Sequence, residues 1–440
     1  MKLPVAEQRG ILNLLRVDAP LRLSALARRG VKAGEFFLCA ASGEELIPLE
    51  AGQALKTAFG RLNIGERMDS IIIKAVQSKK DLTAFIKFAW KVYKNDPHWV
   101  PPLIYDKKKI LDKDKNPFFQ HAEMELWMAY IDGEIVGRIA AIKNDLHNQT
   151  HNDKVGFFGF FECIDNQNVA NKLFDTAKTW LKSKGLNEMH GPANPSSNDE
   201  YGMLLEGFDD EPRLLMTYNP KYYLTLCDNY GFKKAKDLNA YKLENKKVTG
   251  SAKLERVAEL ARKRSGIKIS QLNMKEFAKE LEKVKFCYNK AWSANWGFVP
   301  MTEAELDAMA KDLKPLVEPS LVLFGEIDNK LIGFALVMLD YNQIFKSMNG
   351  RLLPFGFLKL FTQKKKIQWC RIITLGIIPE FQKRGLDAVF YWEIVNRAAQ
   401  NGILLGEASW ILEDNAMMNR GAEVMNGELY KKYRVYSIAI

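Results

Sequence analysis

Residues 370–401 read CRIITLGIIPEFQKRGLDAVFYWEIVNRAAQN, and this stretch restricts the fold most. Arg371 to Ile378 is apolar and β-branched, the pattern of a strand buried on both faces. Pro379 ends it, having no N–H for a ladder. A short polar loop follows, Glu380-Phe381-Gln382-Lys383-Arg384-Gly385, with a single glycine. From Leu386 the apolar residues Val389, Phe390, Trp392, Ile394, Val395, Ala398 and Ala399 recur at helical spacing. Strand, tight basic loop and helix in this order aim unpaired N–H groups and the positive end of a helix at one point. Such a point suits a phosphate or a diphosphate.

The same order of elements occurs twice. In the first half, Ile71–Val76 reads as a strand and Lys79–Tyr93 as an amphipathic helix. Asn95–Leu103 is a proline-rich loop. Glu123–Ile131 and Glu134–Asn144 form a hairpin around Asp132-Gly133. Lys154–Cys163 is a buried strand, Val169–Lys184 a helix and Asn187–Gly191 a further strand. A Pro-, Ser- and Asn-rich insertion reaches to Asn219 and is placed to wall a cleft. A polar linker, Asn245–Gly250, and a helix, Lys253–Ser265, lead into the second half. There Ile267–Leu272 is a strand and Phe277–Trp292 a helix. Thr302 and Glu305 form a capping box. Leu321–Ile327 and Leu331–Leu339 form the hairpin. After the 371–401 unit come strand Leu404–Trp410, helix Asn415–Asn426 and strand Leu429–Ile438. Residues 1–67 differ: they hold seven Arg and three Lys, against eleven and forty-three in the rest. They read as an appended or mis-started segment, with a helix over Ile11–Arg29 and a short hairpin over Phe36–Leu49.

Strand, Pro, Gln/Arg-x-x-Gly-x-Gly/Ala and helix resemble the acyl-CoA loop of the GNAT superfamily of N-acetyltransferases, with Pro379, Gln382 and Gly385 as the matching residues. The order of elements resembles that of two GNAT domains, 69–245 and 266–440. The resemblance therefore implies an α/β (α+β) fold with two mixed twisted sheets flanked by helices. It implies transfer of an acetyl or longer acyl group from acetyl-CoA or another acyl-CoA to a small-molecule or peptide amine, by direct attack. Ile377, Ile378, Gln382, Lys383, Arg384, Gly385, Leu386, Asp387, Ala388 and Asn415 would hold the co-substrate. The departure is Asp387, a carboxylate where the motif has a small residue. The corresponding loop of the first half, Asp165-Asn166-Gln167-Asn168-Val169-Ala170, has no glycine and reads as degenerate. For the proton transfers, Glu407 is the candidate base and Tyr430, with Tyr433 behind it, the candidate acid. Tandem GNAT-like folds also include transferases that use aminoacyl-tRNA, and a non-catalytic binding protein is a further alternative.

Composition narrows the rest. A chain of 440 residues with 47% hydrophobic and 27% charged residues has the make-up of a globular protein of more than one domain. The net charge of +11 suits CoA, tRNA or an anionic membrane face and does not choose among them; the lysines are too dispersed to argue for DNA. The segment 342–368 is apolar, aromatic and basic together. It reads as a helical arm packed on the first half, with peripheral membrane contact as the alternative. No apolar run reaches the roughly 18 residues of a membrane-spanning helix. Five scattered cysteines, Cys39, Cys163, Cys227, Cys287 and Cys370, read as reduced core thiols of a cytoplasmic protein. His147 and His151 read as a surface pair, and no metal-ligand spacing is seen.

Overall fold

The computed structural model describes residues 37–39, 46–48, 70–292 and 295–440. The chain divides into two compact units, 1–69 and 70–440. In the first, β1 (Phe37–Cys39) and β2 (Leu46–Pro48) pair antiparallel, with Phe37 opposite Pro48. The helix expected over 11–29 lies outside the described residues.

The second unit is α/β and is built on one mixed sheet. Its first half contributes β3 (Ile72–Ala75), β4 (Ala122–Ile131), β5 (Glu134–Asn144), β6 (Val155–Cys163) and β7 (Glu188–Gly191). The insertion adds β8 (Ala193–Asn194), β9 (Glu200–Tyr201) and β10 (Met203–Glu206), and β11 (Lys233–Glu244) closes the half. The second half contributes β12 (Lys268–Gln271), β13 (Val322–Ile327), β14 (Lys330–Leu339), β15 (Trp369–Ile377), β16 (Leu405–Leu412) and β17 (Glu428–Ala439). The spatial order is β12-β13-β14-β15-β16-β11-β17-β7-β6-β5-β4-β3, with β10 also paired to β17. The last strands are therefore exchanged. β11 lies against β16 of the second half, and β17 lies against β7 of the first. Where two separate sheets were expected, the halves share one.

Local chemistry accounts for most elements. Both hairpins turn on residues with positive φ, Asp132 and Gly133 in one, Asp328 and Asn329 in the other, as a two-residue type I′ turn requires. The helix Lys79–Lys87 opens with a capping box, the Ser78 hydroxyl accepting from the Asp81 N–H. The long helix expected over 79–93 is two, Lys79–Lys87 and Ala89–Val92, joined at Phe88. The expected polar linker is a short helix, Asn245–Thr249. Val248 is buried there, and the Asn245 amide donates to the Ile403 carbonyl at 2.9 Å. Those contacts are tertiary, so local polarity did not disclose them.

The helix Leu386–Gln400 buries Val389, Phe390, Ile394 and Val395 against the second half of the sheet. Phe390 fits because residue 325 is glycine: a Cβ there would stand 2.7 Å from its ring. Truncating so enclosed a ring costs about 3–5 kcal/mol. This packing fixes where the start of the helix, and so the basic loop, is presented. In the first half the helix Gln167–Ser183 does the same with Leu173, Phe174, Ala177 and Leu181.

Candidate active site

β15 and β16 run parallel and pair only from Trp369 opposite Leu405 to Ile372 opposite Ala408. Beyond that β15 stays with β14, and β16 stays with β11. The two strands part, and a cleft of about 680 Å³ lies at their far ends, within the usual range for a small-molecule site. Leu375, Gly376 and Ile377 of β15, Phe381, Gln382 and Lys383 of the loop, and Leu386 and Asp387 of the helix form one wall. Leu412, Asp414, Asn415, Met417 and Met418 form another. Trp292 leans over β15 at Gly376, where a Cβ would meet its ring at 2.2 Å.

The basic loop is built to meet an anion. Gly385 takes φ +71° and begins the helix, and Lys383 sits at φ +60°. The backbone N–H groups of residues 383–386 donate to nothing among the described residues. Gln382 is spent on its own turn, its amide donating to the Ile377 carbonyl at 2.8 Å. Arg384 folds back likewise, donating to the Glu380 carbonyl at 2.9 Å and lying over the Phe381 ring. Lys383 lines the cleft, and no partner is recorded for its ammonium among the described residues. Asp387 also faces the cleft; burial raises its carboxyl pKa, opposed by the N–H groups of residues 387 and 388. Asn415 lines the cleft and also caps the helix Ala416–Val424, accepting from the Met418 N–H at 3.1 Å. Arg384, Gly385, Ile378 and Ala388 do not line it. Ile378 instead donates its N–H to the Ile332 carbonyl, and Ala388 donates to the Gly385 carbonyl.

Glu407 and Tyr430 lie elsewhere. Glu407 is fully buried. One oxygen accepts from the Tyr430 hydroxyl and the other from the Ser409 hydroxyl. Arg371, opposite Glu407 in the β15–β16 register, donates to the Ser409 hydroxyl at 2.8 Å and the Leu214 carbonyl at 2.7 Å. Lys431, Arg213, Asp210 and Asp340 extend this buried charge cluster. Neither Glu407, Tyr430 nor Tyr433 lines the cleft. The alternation along β16 placed Glu407 beside Ser409 correctly, but that face meets the insertion of the first half.

A wall that the sequence did not reveal comes from the first half. His147, His151, Asp153, His190 and Tyr201 line the same cleft. His147 is not on the surface. It is buried in the helix Asp145–His151, which Asn144 caps, and it packs on Phe157 with ring centroids 4.9 Å apart. His147 and His151 have ring centroids 4.5 Å apart. Nδ1 of His147 lies 3.4 Å from Asp153 and 3.2 Å from the Asn148 side-chain oxygen, so it carries the proton and leaves Nε2 as the basic nitrogen. Burial, the largest cause, holds the His147 pKa below its usual value. His151 bonds to the Phe298 carbonyl at 2.8 Å, and His190 stacks on Trp296. The 145–151 helix ties off one hairpin of the first half, and the cleft belongs to the second. Only the shared sheet brings them together.

The equivalent opening of the first half is smaller, a cavity of about 220 Å³ lined by Phe160, Phe161, Glu162 and Asn194. β6 and β7 also part, after Phe157 opposite His190. Asn194 enters the gap and accepts from the Phe160 N–H at 2.6 Å. Asn166 covers the start of the Gln167–Ser183 helix, accepting from the N–H groups of residues 168 and 169. Tyr222 and Tyr223 hydroxyls bond to the carbonyl and N–H of Cys163. The N–H groups of residues 168 and 169 at this helix start are thus satisfied by the chain itself.

Comparison with known proteins agrees with this architecture. No family model matches the sequence. Protein YghO of Escherichia coli is 34% identical over 371 residues, 83% of this chain and 94% of the relative. Bacterial ceramide synthase of Caulobacter vibrioides is 36% identical over 378 residues, 83% of this chain and 96% of the relative. The chain belongs to their family. A tandem GNAT protein from the clavulanic acid biosynthesis pathway superposes with TM-score 0.50 at 9% identity, over 84% of this chain and 98% of its own. A GCN5-related glucosamine N-acetyltransferase region of a fungal multi-domain β-N-acetylglucosaminidase gives TM-score 0.50 at 12% identity, over 84% and 38%. By fold the chain is a tandem GNAT protein.

Proposed function

We propose that the chain transfers a fatty acyl group from acyl-CoA to the amine of a long-chain amino alcohol, forming an amide. The observation that carries this reading is the set of unpaired amides at 383–386, joined by Lys383, at the edge of an open cleft. They would take the diphosphate of CoA. Acyl-CoA supplies the activated thioester carbonyl. Similarity to bacterial ceramide synthase supports the acceptor class, because a ceramide is such an amide. The cleft supports it too: Trp292, Phe381, Leu375, Met417 and Met418 line it with apolar and adaptable surface.

In this reading the amine nitrogen bonds to the carbonyl carbon as the C–S bond breaks, and the sulfur leaves as a thiolate that then takes up the proton released by the amine. Nε2 of His147 receives the amine proton, and Asp153 steadies the imidazolium so formed. Lys383 balances diphosphate charge, while Asp387 opposes it. Glu407 and Tyr430 hold β16 to β17 and do not touch substrate. The second half binds the acyl donor, and the first half supplies the proton acceptor.

The test is thiol release and mass-spectrometric detection of product with the purified chain, sphinganine and a series of acyl-CoAs from acetyl to palmitoyl. Amide formation favouring the long chains is expected. Activity only with acetyl-CoA would remove the fatty acyl donor from the proposal. A melting temperature raised by aminoacyl-tRNA and unmoved by any acyl-CoA would overturn it entirely.

A further inference from the structure

The segment 342–368, between β14 and β15, has two faces. Its first part is seated on the first half. The Asn342 side chain donates to the Pro212 carbonyl at 2.8 Å, Lys346 pairs with Glu211, and Trp90 donates to Asn349 at 2.7 Å. After Gly350 the chain turns outward. Leu353, Phe355 and Phe361 are 70–73% exposed, and Phe357 and Leu358 are exposed beside them. Fifteen large apolar side chains are exposed among the described residues, and these five fall within nine positions. Three of them lie on the helix Gly356–Thr362. The segment carries six cations, Lys346, Arg351, Lys359, Lys364, Lys365 and Lys366, and no carboxylate. Arg351, Lys365 and Lys366 are exposed, with no partner recorded among the described residues.

We infer that residues 351–366 are a docking surface for an anionic lipid membrane. Exposed aromatic and leucine side chains would enter the acyl boundary, and the cations would sit at the headgroups. The charge decides for lipid over protein: the segment itself carries cations alone, and although Lys364 pairs with Glu318 at 2.9 Å, Arg351, Lys365 and Lys366 remain to complement an anionic headgroup layer. This inference stands apart from the acyl-transfer reading, since none of residues 351–366 lines the cleft.

Flotation of the full chain with phosphatidylcholine vesicles, with and without phosphatidylglycerol, tests it. Binding is expected only where phosphatidylglycerol is present, and it should weaken as salt is raised. The double variant Phe355→Ser/Phe361→Ser should lose binding by roughly tenfold or more. The variant Lys365→Glu/Lys366→Glu should lose the preference for phosphatidylglycerol. Both replace exposed side chains, and an unchanged melting temperature verifies folding. No flotation of the wild-type chain, or flotation indifferent to both variants, overturns the inference. Concentration-dependent self-association abolished by the same variants also overturns it, by assigning the face to a second copy of the chain.

Discussion

Asp387 faces the cleft at the helix start, so in the proposed reading its charge would set how well the loop receives a diphosphate. Burial already raises its pKa, and a bound diphosphate would raise it further. Binding then takes up a proton, and affinity for CoA should rise as pH falls. Asp387→Asn should tighten CoA binding by roughly tenfold and flatten that pH dependence; calorimetric titration at several pH values reads both. His147 differs in kind, because burial keeps it neutral and ready to accept a proton. His147→Asn should lower kcat by about 10²–10⁴-fold while leaving the calorimetric affinity for CoA unchanged. A loss of CoA affinity in that variant would instead make His147 part of the donor site. Asp340 offers a third test. Burial raises its pKa to about 6, above the unfolded value of about 3.9. Its folded form therefore holds a proton that the unfolded form releases. Its contribution to stability is full below about pH 4 and is lost as pH rises towards 6. Asp340→Asn should remove that share, so the stability difference between variant and wild type should grow in the variant's favour across this window in urea melts.

At the scale of elements, β15 serves two ends. Its near end carries Arg371 into the buried charge cluster, and its far end carries Gly376 and Ile377 to the cleft. Arg371 is almost fully buried, and burial lowers its pKa while Glu407 opposes the shift. Removing one partner of such a pair leaves an uncompensated charge. Arg371→Ala should therefore destabilise the fold by about 3–5 kcal/mol, measured by urea denaturation. If the loss were below about 1 kcal/mol, the cluster would be ordinary packing. The loop between β15 and its helix depends on Gly385 for a different reason. Its φ of +71° is one that a side chain resists, although the space for a Cβ is open.

Across the molecule, exchange of β11 and β17 binds the two halves into one sheet. Neither half keeps a covered edge when cut out. Without β16 and β17, β7 of the first half loses a neighbour, and β11 loses both. Open edges of this kind invite association. Residues 70–440 should therefore unfold in one calorimetric transition, and residues 70–245 alone should fail to give a soluble monomer. Two resolved transitions would contradict this. Among the described residues no helix is long and apolar enough to cross a membrane. Cys163, Cys227, Cys287 and Cys370 are buried free thiols.

The sequence by itself determined what short-range chemistry controls. Apolar runs marked β6 and β15, Asp132-Gly133 and Asp328-Asn329 marked the hairpin turns, and the Leu386 helix showed its period. The basic loop with Gly385 was legible for the same reason, since φ, proline and helix start are local properties. Tertiary structure alone decided the rest. Glu407 looked like a base because alternation gives a strand two faces but not what covers each one. His147 looked like a surface residue because its partners Phe157 and Asp153 meet it only after the hairpin folds. Its place in the cleft follows from the exchanged strands, which set the first half's helix opposite the second half's loop. Pairing between strands some 200 residues apart leaves no mark in a local pattern, so a site built across that pairing appears only when the sheet is complete.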